Sequence, residues 1–193
     1  MDSDDRPYHH GDLRAALLAA AEAELAEVGV EGFSLRKVAR RAGVSHAAPA
    51  HHFGDVGGLL TALAAEGYRR FLATQGRHEA VAAPDAAAQL VAAGQGYVAF
   101  AMERPALFRL LFGSSRPDYD APDLQAAAGA AYSHLVDQVT AAGGQTLTDV
   151  AAVWAIAHGL ADLMAAGRLK PLAALDENAR AEVVAQVMRR ALP

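Results

Sequence analysis

The chain has 193 residues, 53% of them hydrophobic and 6% aromatic, with a formal net charge of −5. It contains no cysteine, which excludes disulfides and thiolate metal sites, and no uninterrupted apolar run of about 18 residues, so no membrane span is expected. Alanine dominates the hydrophobic fraction and β-branched residues are few, which predicts an all-α fold. The acidic, polar start lacks the pattern of a secretion signal, and together with the missing cysteines it favours the cytoplasm.

The first helix is predicted from about His10 or Asp12 to Val28, after an N-terminal arm of residues 1–7. Gly29 then supplies the left-handed residue on which helices often end. Apolar residues recur at helical spacing and form one stripe along it. This stripe consists of Leu13, Leu17, Ala21, Leu25 and Val28.

The stretch FSLRKVARRAGVSHAAPAHHF, residues 33–53, predicts two short helices joined by a tight turn. Ser34 is a good N-cap for the first of these helices, and Gly43 suits its C-terminus. The second is predicted from about His46 to Phe53 with Ser45 as its cap. Pro49 falls close to its first turn, so we expect that turn to be tightened and the helix unbroken. A helix, a glycine-containing turn and a second helix is the arrangement that places its second helix in the DNA major groove.

The charges and polar groups of this stretch suit DNA. Four cations occupy the outer side of the first helix, a density that fits contacts with phosphates: Arg36, Lys37, Arg40 and Arg41. The exposed start of the second helix would face base edges with Ser45, His46, Ala47 and Ala48, whose side chains can hydrogen-bond to bases or contact the thymine methyl. His51 and His52 would lie nearer a phosphate strand. The alternative is that these are ordinary polar residues on an exposed short helix.

Six further helices are predicted beyond residue 55. A long helix from about Val56 to Arg77 would link the N-terminal head to the rest of the chain. The body then contains five helices, bounded mainly by proline, glycine, aspartate and threonine. Their predicted ranges are 86–103, 105–112, 123–142, 146 or 148 to 166, and a last helix capped by Asp176 that runs to Leu192. The total is nine.

At SLRKVARRAGVS, followed five residues later by HHF and then by LL, the chain resembles the tetracycline-repressor (TetR) family of bacterial regulators. The resemblance runs from about Tyr8 to Tyr68. VWAIAHGLADL, residues 153–163, is similar to the Trp-His-Gly stretch in the C-terminal domain of one subgroup. The resemblance implies an all-helical homodimer that represses transcription from a palindromic operator until a small molecule binds. Residues 1–55 would form its DNA-binding domain and residues 56–193 its ligand-binding and dimerisation domain.

Three positions depart from the family's pattern. Ala50 stands where a tyrosine is usual, and Val56 and Gly57 stand where a lysine and an acid are usual, which predicts fewer phosphate contacts. Tyr8, His9 and His10, at the start of the first helix, can partly compensate. The predicted DNA-binding residues therefore comprise Tyr8, His9, His10, Ser34 and the cations and recognition residues named above. The competing interpretation is a dimeric helical module that binds a small molecule or a protein and has degenerate DNA binding.

Aromatic residues on or beside the middle helices predict a mostly apolar pocket for an apolar or aromatic effector. The predicted pocket residues are Tyr68, Phe71, Tyr97, Phe100, Met102, Phe108, Phe112 and Tyr132. The alternative is an ordinary helical core, since aromatic side chains dominate core burial. Arg109 and His134 are expected to face solvent.

The resemblance also implies that the last helices of two chains pack together as a dimer interface, against the alternative of packing within one chain. The predicted interface residues are Trp154, Ala157, His158, Ala161, Val183, Val184, Val187 and Met188. No catalytic group, metal site or cofactor is predicted. His51 and His52 are adjacent and project to different sides of a helix, and no glycine-rich phosphate loop is present. An enzyme is therefore not expected.

Overall fold

The structure, a computed structural model, describes residues 10–193, and these form ten α-helices and no strand. Their bounds are α1 His10–Val28, α2 Leu35–Ala42, α3 Ala48–Phe53, α4 Val56–Glu79, α5 Ala86–Glu103, α6 Pro105–Gly113, α7 Pro122–Ala141, α8 Leu147–Ala165, α9 Lys170–Ala173 and α10 Glu177–Arg189. The all-α prediction is confirmed, with ten helices in place of nine. The additional one is α9, a single turn that is too short for apolar periodicity to reveal.

The turn chemistry explains why most helices begin and end where they do. Ser34 caps α2 by accepting a hydrogen bond from the Lys37 N–H at 3.4 Å, and Gly43 ends that helix in the left-handed conformation with φ 68°. Thr146 and Asp149 form a reciprocal capping box at the start of α8. These positions match the predicted boundaries.

The start of α3 differs from the prediction. Ser45 does not cap it; residues 45–48 form a turn in which the Ala48 N–H donates to the Ser45 carbonyl at 3.1 Å, and the helix begins at Ala48. Pro49 is consequently its second residue. At that position the proline ring interrupts no helical hydrogen bond, because the first N–H groups of a helix have no partner within it.

We call α1–α3 the head and α5–α10 the body. In the head, α1 packs against α2, and the core between them contains Leu17, Leu25 and Val38. In the body, α5 packs against α4, α8 and α10, while α7 packs mainly against α4 and also contacts α5 and α8. Helix α4 contacts α1, α3, α5 and α7, so it belongs to both parts.

Ion pairs also join the head to the body. Glu22 of α1 pairs with Arg70 of α4 and with Arg104, which precedes α6. Helix α6 packs directly against α1 as well. The head is therefore held to the body at two places besides the continuous helix α4.

Helix α8 is the one helix of residues 10–193 that could cross a membrane by length and apolar composition. Its inner face packs against α5, and a core helix of a folded domain passes the same test, so this is weak support for a membrane span. Only a third of the helix is buried, however, which leaves apolar surface exposed on its outer side.

Candidate functional site

The outer surface of α2 carries the cations that the sequence singles out, but they divide into two pairs. Arg36 and Arg40 are exposed one turn apart, and neither forms an ion pair with any residue in the range 13–193. Lys37 and Arg41 instead turn toward α1, where they contact the buried carboxylate of Glu24 at 3.5 and 3.3 Å. A buried carboxylate needs such partners, so this second pair stabilises the α1–α2 packing.

Arg41 also hydrogen-bonds to Glu27, and this bond together with the one to Glu24 raises the pKa of the guanidinium. With or without these bonds, the guanidinium of Arg41 remains charged at any physiological pH. Arg36 and Arg40 are thus the cations whose donors stay available for a partner.

The start of α3 is presented to solvent beside these arginines. Ser45, His46 and Ala47 are exposed, and Ala48 is half-buried. His51 is exposed and lies edge-on to the half-buried His52, with ring centroids 5.6 Å apart. Most of this set is therefore exposed, on and just before α3, a helix that packs against α2.

The remaining residues of the predicted DNA-binding set have other placements. Ser34 is half-buried and caps α2. Tyr8 and His9 lie outside the described residues, and His10 is the first residue of α1. At the other end of α3, the Arg14 guanidinium lies 5.6 Å from the centre of the Phe53 ring, which ties α3 to α1.

The body contains a cavity of about 240 Å³ enclosed by α4, α5, α6, α7, α8 and α10. Its wall is mostly aromatic and aliphatic. Five residues of the predicted pocket lie on this wall: Tyr68, Phe71, Tyr97, Phe112 and Tyr132. Tyr119, Trp154 and Met188 complete the larger side chains around it.

Three residues of the predicted pocket lie elsewhere. Phe100 is fully buried behind the wall and packs edge-on against Phe71, with centroids 5.4 Å apart. Phe108 is also buried and stacks on His158 at 5.4 Å. Met102 is exposed on the outer side of α5. The aromatic cluster is larger than the cavity, so part of it forms ordinary core, as the alternative interpretation allowed.

Tyr97 is the centre of a buried hydrogen-bond chain. The Trp154 indole N–H donates to the Tyr97 oxygen at 3.3 Å, and that hydroxyl lies 2.8 Å from His158 Nδ1. Burial raises the pKa of Tyr97, while the bond from Trp154 lowers it in part. Trp154 therefore lies on the cavity wall, and His158 supports the wall residue Tyr97 from behind, in addition to the interface role that the sequence suggests.

Other predicted interface residues are also buried within a single chain. Ala157, Ala161, Val184 and Met188 are buried, whereas Val183 and Val187 are half-buried. The larger apolar side chains left exposed on α8 are instead Leu147, Trp154 and Leu163, which are 75%, 40% and 37% exposed, and Ile156 is half-buried.

One end of the cavity is polar, and the sequence analysis missed it. Gln75 of α4 and His134 and Gln138 of α7 lie on the wall there. His134 Nε2 lies 2.7 Å from Glu79 Oε1, and Gln138 Nε2 donates to the same oxygen at 3.4 Å. His134 thus faces the cavity and not bulk solvent, while Arg109 is exposed as expected. The available signal was the spacing of four, which places both polar residues of each helix on one face.

Helix α4 connects this cavity to the head. At about 1.5 Å per residue, its 24 residues span about 36 Å. Its first turn is capped by Asp55 and packs against α3, while Tyr68, Phe71 and Gln75 further along it line the cavity. Any displacement of α4 at the cavity therefore acts on the element that supports α3.

The fold and these two surfaces define a class: an all-helical protein with a helix-turn-helix head and a body that encloses a cavity. Residues 17–63 match the profile of the bacterial regulatory proteins of the tetR family, and residues 90–188 match that of the tetracyclin repressor-like C-terminal domain. The second match alone covers more than half of the chain. The protein belongs to the TetR family.

Individual proteins are similar to this chain in sequence, in structure or in both. A protein of unknown function from Rhodococcus sp. RHA1 is 36% identical, with a TM-score of 0.79 over 97% of this chain and 99% of that one. A TetR family transcription regulator from Marinobacter aquaeolei VT8 is 20% identical, with a TM-score of 0.73 over 94% and 96% of the two chains, and supports the fold alone. The HTH-type transcriptional regulator BetI of Burkholderia thailandensis is 38% identical over 77 residues, 40% of each chain.

Proposed function

We propose that the protein is a homodimeric transcriptional repressor of the cytoplasm that leaves a palindromic operator when a small apolar or aromatic effector binds. Residues 1–55 would bind DNA, and residues 56–193 would bind the effector and form the dimer. The observation that carries the proposal is the course of α4. This single helix supports the exposed α2–α3 surface at one end and lines the cavity at the other.

The DNA-binding part rests on Arg36, Arg40 and the start of α3. Two exposed guanidinium groups without a partner among residues 13–193 are suited to phosphates, which Arg can engage through two parallel hydrogen bonds. Ser45 and His46 beside them can hydrogen-bond to base edges in the major groove. Lys37 and Arg41 contribute indirectly, because they hold α2 against α1.

The dimer rests on the outer face of α8 and α10. Helix α8 is apolar along its length, yet only a third of it is buried in one chain. Exposed Leu163 and half-buried Ile156 lie seven positions apart and so face the same side of α8, and with the half-buried Val183 and Val187 of α10 they would form an apolar surface that a second copy of the chain covers. A two-fold symmetric pair would present two α3 helices, as an operator with two half-sites about 34–36 Å apart requires.

Effector binding would switch the protein by favouring a displaced position of α4. An effector in the cavity contacts Tyr68, Phe71 and Gln75, so it can bind one α4 position better than another. The shift between the two states can be no larger than this difference in affinity. A displaced α4 would move the two heads out of register with successive major grooves.

Fluorescence anisotropy with a duplex taken from beside the protein's own gene tests the proposal. Binding should weaken steeply with salt, by a slope of about 0.9 for each phosphate contact. Replacing both Arg36 and Arg40 with Ala removes two cations per subunit, so the slope should fall by roughly 3–4 per dimer. Arg109→Ala, an exposed cation of the body, should leave the slope unchanged.

Absence of binding at low salt, or an unchanged slope in the double variant, would contradict the proposal. The first outcome would favour the competing interpretation, a dimeric module without DNA function. The departures from the family's pattern at Ala50, Val56 and Gly57 support that interpretation, because they predict fewer phosphate contacts. The salt slope is therefore a better measure than a single affinity, since it counts phosphate contacts directly.

A further inference from the structure

We propose that the cavity selects an uncharged single-ring compound with one hydrogen-bond donor, such as a phenolic hydroxyl, and that Gln75 Oε1 accepts the hydrogen bond. This inference rests on the proposed function, in which the cavity is the effector site. The inference goes beyond the proposed function, because it names the chemical class of the effector and the atom that recognises the effector. Its basis is the size of the cavity, the free acceptor of Gln75 and the charges at the polar end.

The volume of the cavity suits an effector of about one ring. An apolar cavity of about 150 Å³ accommodates benzene. The 240 Å³ available here therefore holds one ring with small substituents. The aromatic wall formed by Tyr68, Phe71, Tyr97 and Phe112 suits such a ring, since aromatic pairs pack favourably edge-on or offset.

Gln75 supplies an acceptor that has no partner. Its side chain is only 7% exposed, and its Nε2 donates to the Ala93 carbonyl of α5 at 3.1 Å. Because a carbonyl can only accept, this bond fixes which end of the amide is the nitrogen. The other end, Oε1, is buried and accepts no hydrogen bond from any residue in the range 13–193. Because Gln75 lies on the cavity wall, a donor on an effector that reaches this atom would satisfy it.

The charges at the polar end exclude an anion. The cavity wall, all of it within residues 10–193, contains no Arg or Lys. The Glu79 carboxylate lies just behind the polar end and is held by His134 and Gln138. A carboxylate on the effector would be desolvated close to this negative charge with no cation of its own. A neutral donor meets neither obstacle.

Trp154 provides the assay, because it is the only tryptophan of the chain and lies on the cavity wall. Quenching of its fluorescence is titrated with three probes of one size: p-cresol, toluene and 4-methylbenzoate. We expect p-cresol to bind about tenfold more tightly than toluene, the effect of one satisfied buried acceptor. 4-Methylbenzoate should show no saturable quenching. Equal affinity for p-cresol and toluene, or tighter binding of 4-methylbenzoate, would overturn the inference.

Two variants assign the effect to one atom. Gln75→Met should lower the affinity for p-cresol about tenfold, to that of toluene, while the affinity for toluene stays unchanged and shows that the cavity is intact. Gln138→Leu, on α7 at the same polar end, should retain the tenfold preference. Preference kept in the first variant, or lost in the second, would show that Gln75 is not the acceptor.

A crystal soaked with 4-bromophenol decides the same point without any variant. The bromine locates the ring, and the phenolic oxygen should lie within hydrogen-bond distance of Gln75 Oε1. An oxygen bound elsewhere would overturn the inference. These results are independent of DNA binding: if the anisotropy experiment succeeds and p-cresol is not preferred, the chemical class is wrong and the repressor stands. If p-cresol is preferred but the protein does not bind DNA, the repressor proposal is wrong and the chemical class of the ligand stands.

Discussion

The crossing of α4 and α5 offers a sharp test of the packing that forms the cavity. Gly96 of α5 lies so close to α4 that an added Cβ would come within 2.5 Å of the Gln75 Cα and 3.0 Å of its backbone nitrogen. Backbone atoms cannot rotate away, so Gly96→Ala must push the two helices apart. Overpacking of this kind costs about 1–3 kcal/mol, and the better helix propensity of alanine returns at most about 1 kcal/mol.

The net loss of up to about 2 kcal/mol should lower the Tm by up to about 8 °C for a chain of this size. Gly129→Ala is the matched control. Gly129 also lies inside a helix, α7, but an added Cβ there meets no atom within 4 Å. That variant should therefore be more stable by up to about 1 kcal/mol. Both are measured by thermal unfolding at one protein concentration, because association shifts the Tm. A Gly96→Ala protein as stable as the Gly129→Ala control would refute the close packing described here.

Three further results are expected. Leu163→Glu places a charge on the exposed face of α8 and should convert the dimer to a monomer, as measured by light scattering. Ala130→Glu, on the exposed side of α7, should leave the dimer intact. If both variants remain dimeric, α8 is not the interface. Hydrogen bonds from the Gln145 N–H and from Thr146 hold the pKa of Asp149 below its ordinary 3.8, so the stability it confers is complete above pH 3.8 and is lost as the pH falls through the lower folded value. Asp149→Asn should flatten that acid limb in urea titrations at several pH values, and an unchanged limb would count against the capping box. Burial raises the pKa of Tyr97 above its ordinary 10.0, so the stability that Tyr97 confers is complete below pH 10.0 and declines as the pH rises toward the pKa of the folded state. Tyr97→Phe should therefore lose less stability at alkaline pH than the unmodified protein. An equal loss would contradict the burial of the phenol.

Local sequence signals were sufficient for most of the fold. Proline and aspartate at 84–85 and Pro105 delimit α5, whose bounds match the prediction. The start of α3 was misplaced because the turn at residues 45–48 is closed by a backbone hydrogen bond, for which Ser45 gives no side-chain signal. Helix α9 was missed because four residues contain hardly more than one turn.

The site was harder to predict, because it depends on contacts between distant residues. Four adjacent cations look equivalent in the sequence, yet the buried Glu24 of α1 engages two of them and leaves Arg36 and Arg40 free of ion pairs with the described residues. Likewise the spacing of aromatic residues does not separate Phe112, on the cavity wall, from Phe100 behind it. His134 was expected in solvent because its partner Glu79 lies 55 positions away in the chain.

The central claim is that two copies of the chain present their α3 helices to successive major grooves. The chain has no cysteine, so Ala47→Cys, at an exposed position beside α3, gives a single spin-label site per subunit. Double electron–electron resonance on the labelled protein bound to operator DNA should then give one narrow distance distribution, centred near the half-site spacing of about 34–36 Å after allowance for the label. No dipolar coupling, or a distance that does not match the spacing of successive grooves, would contradict the account.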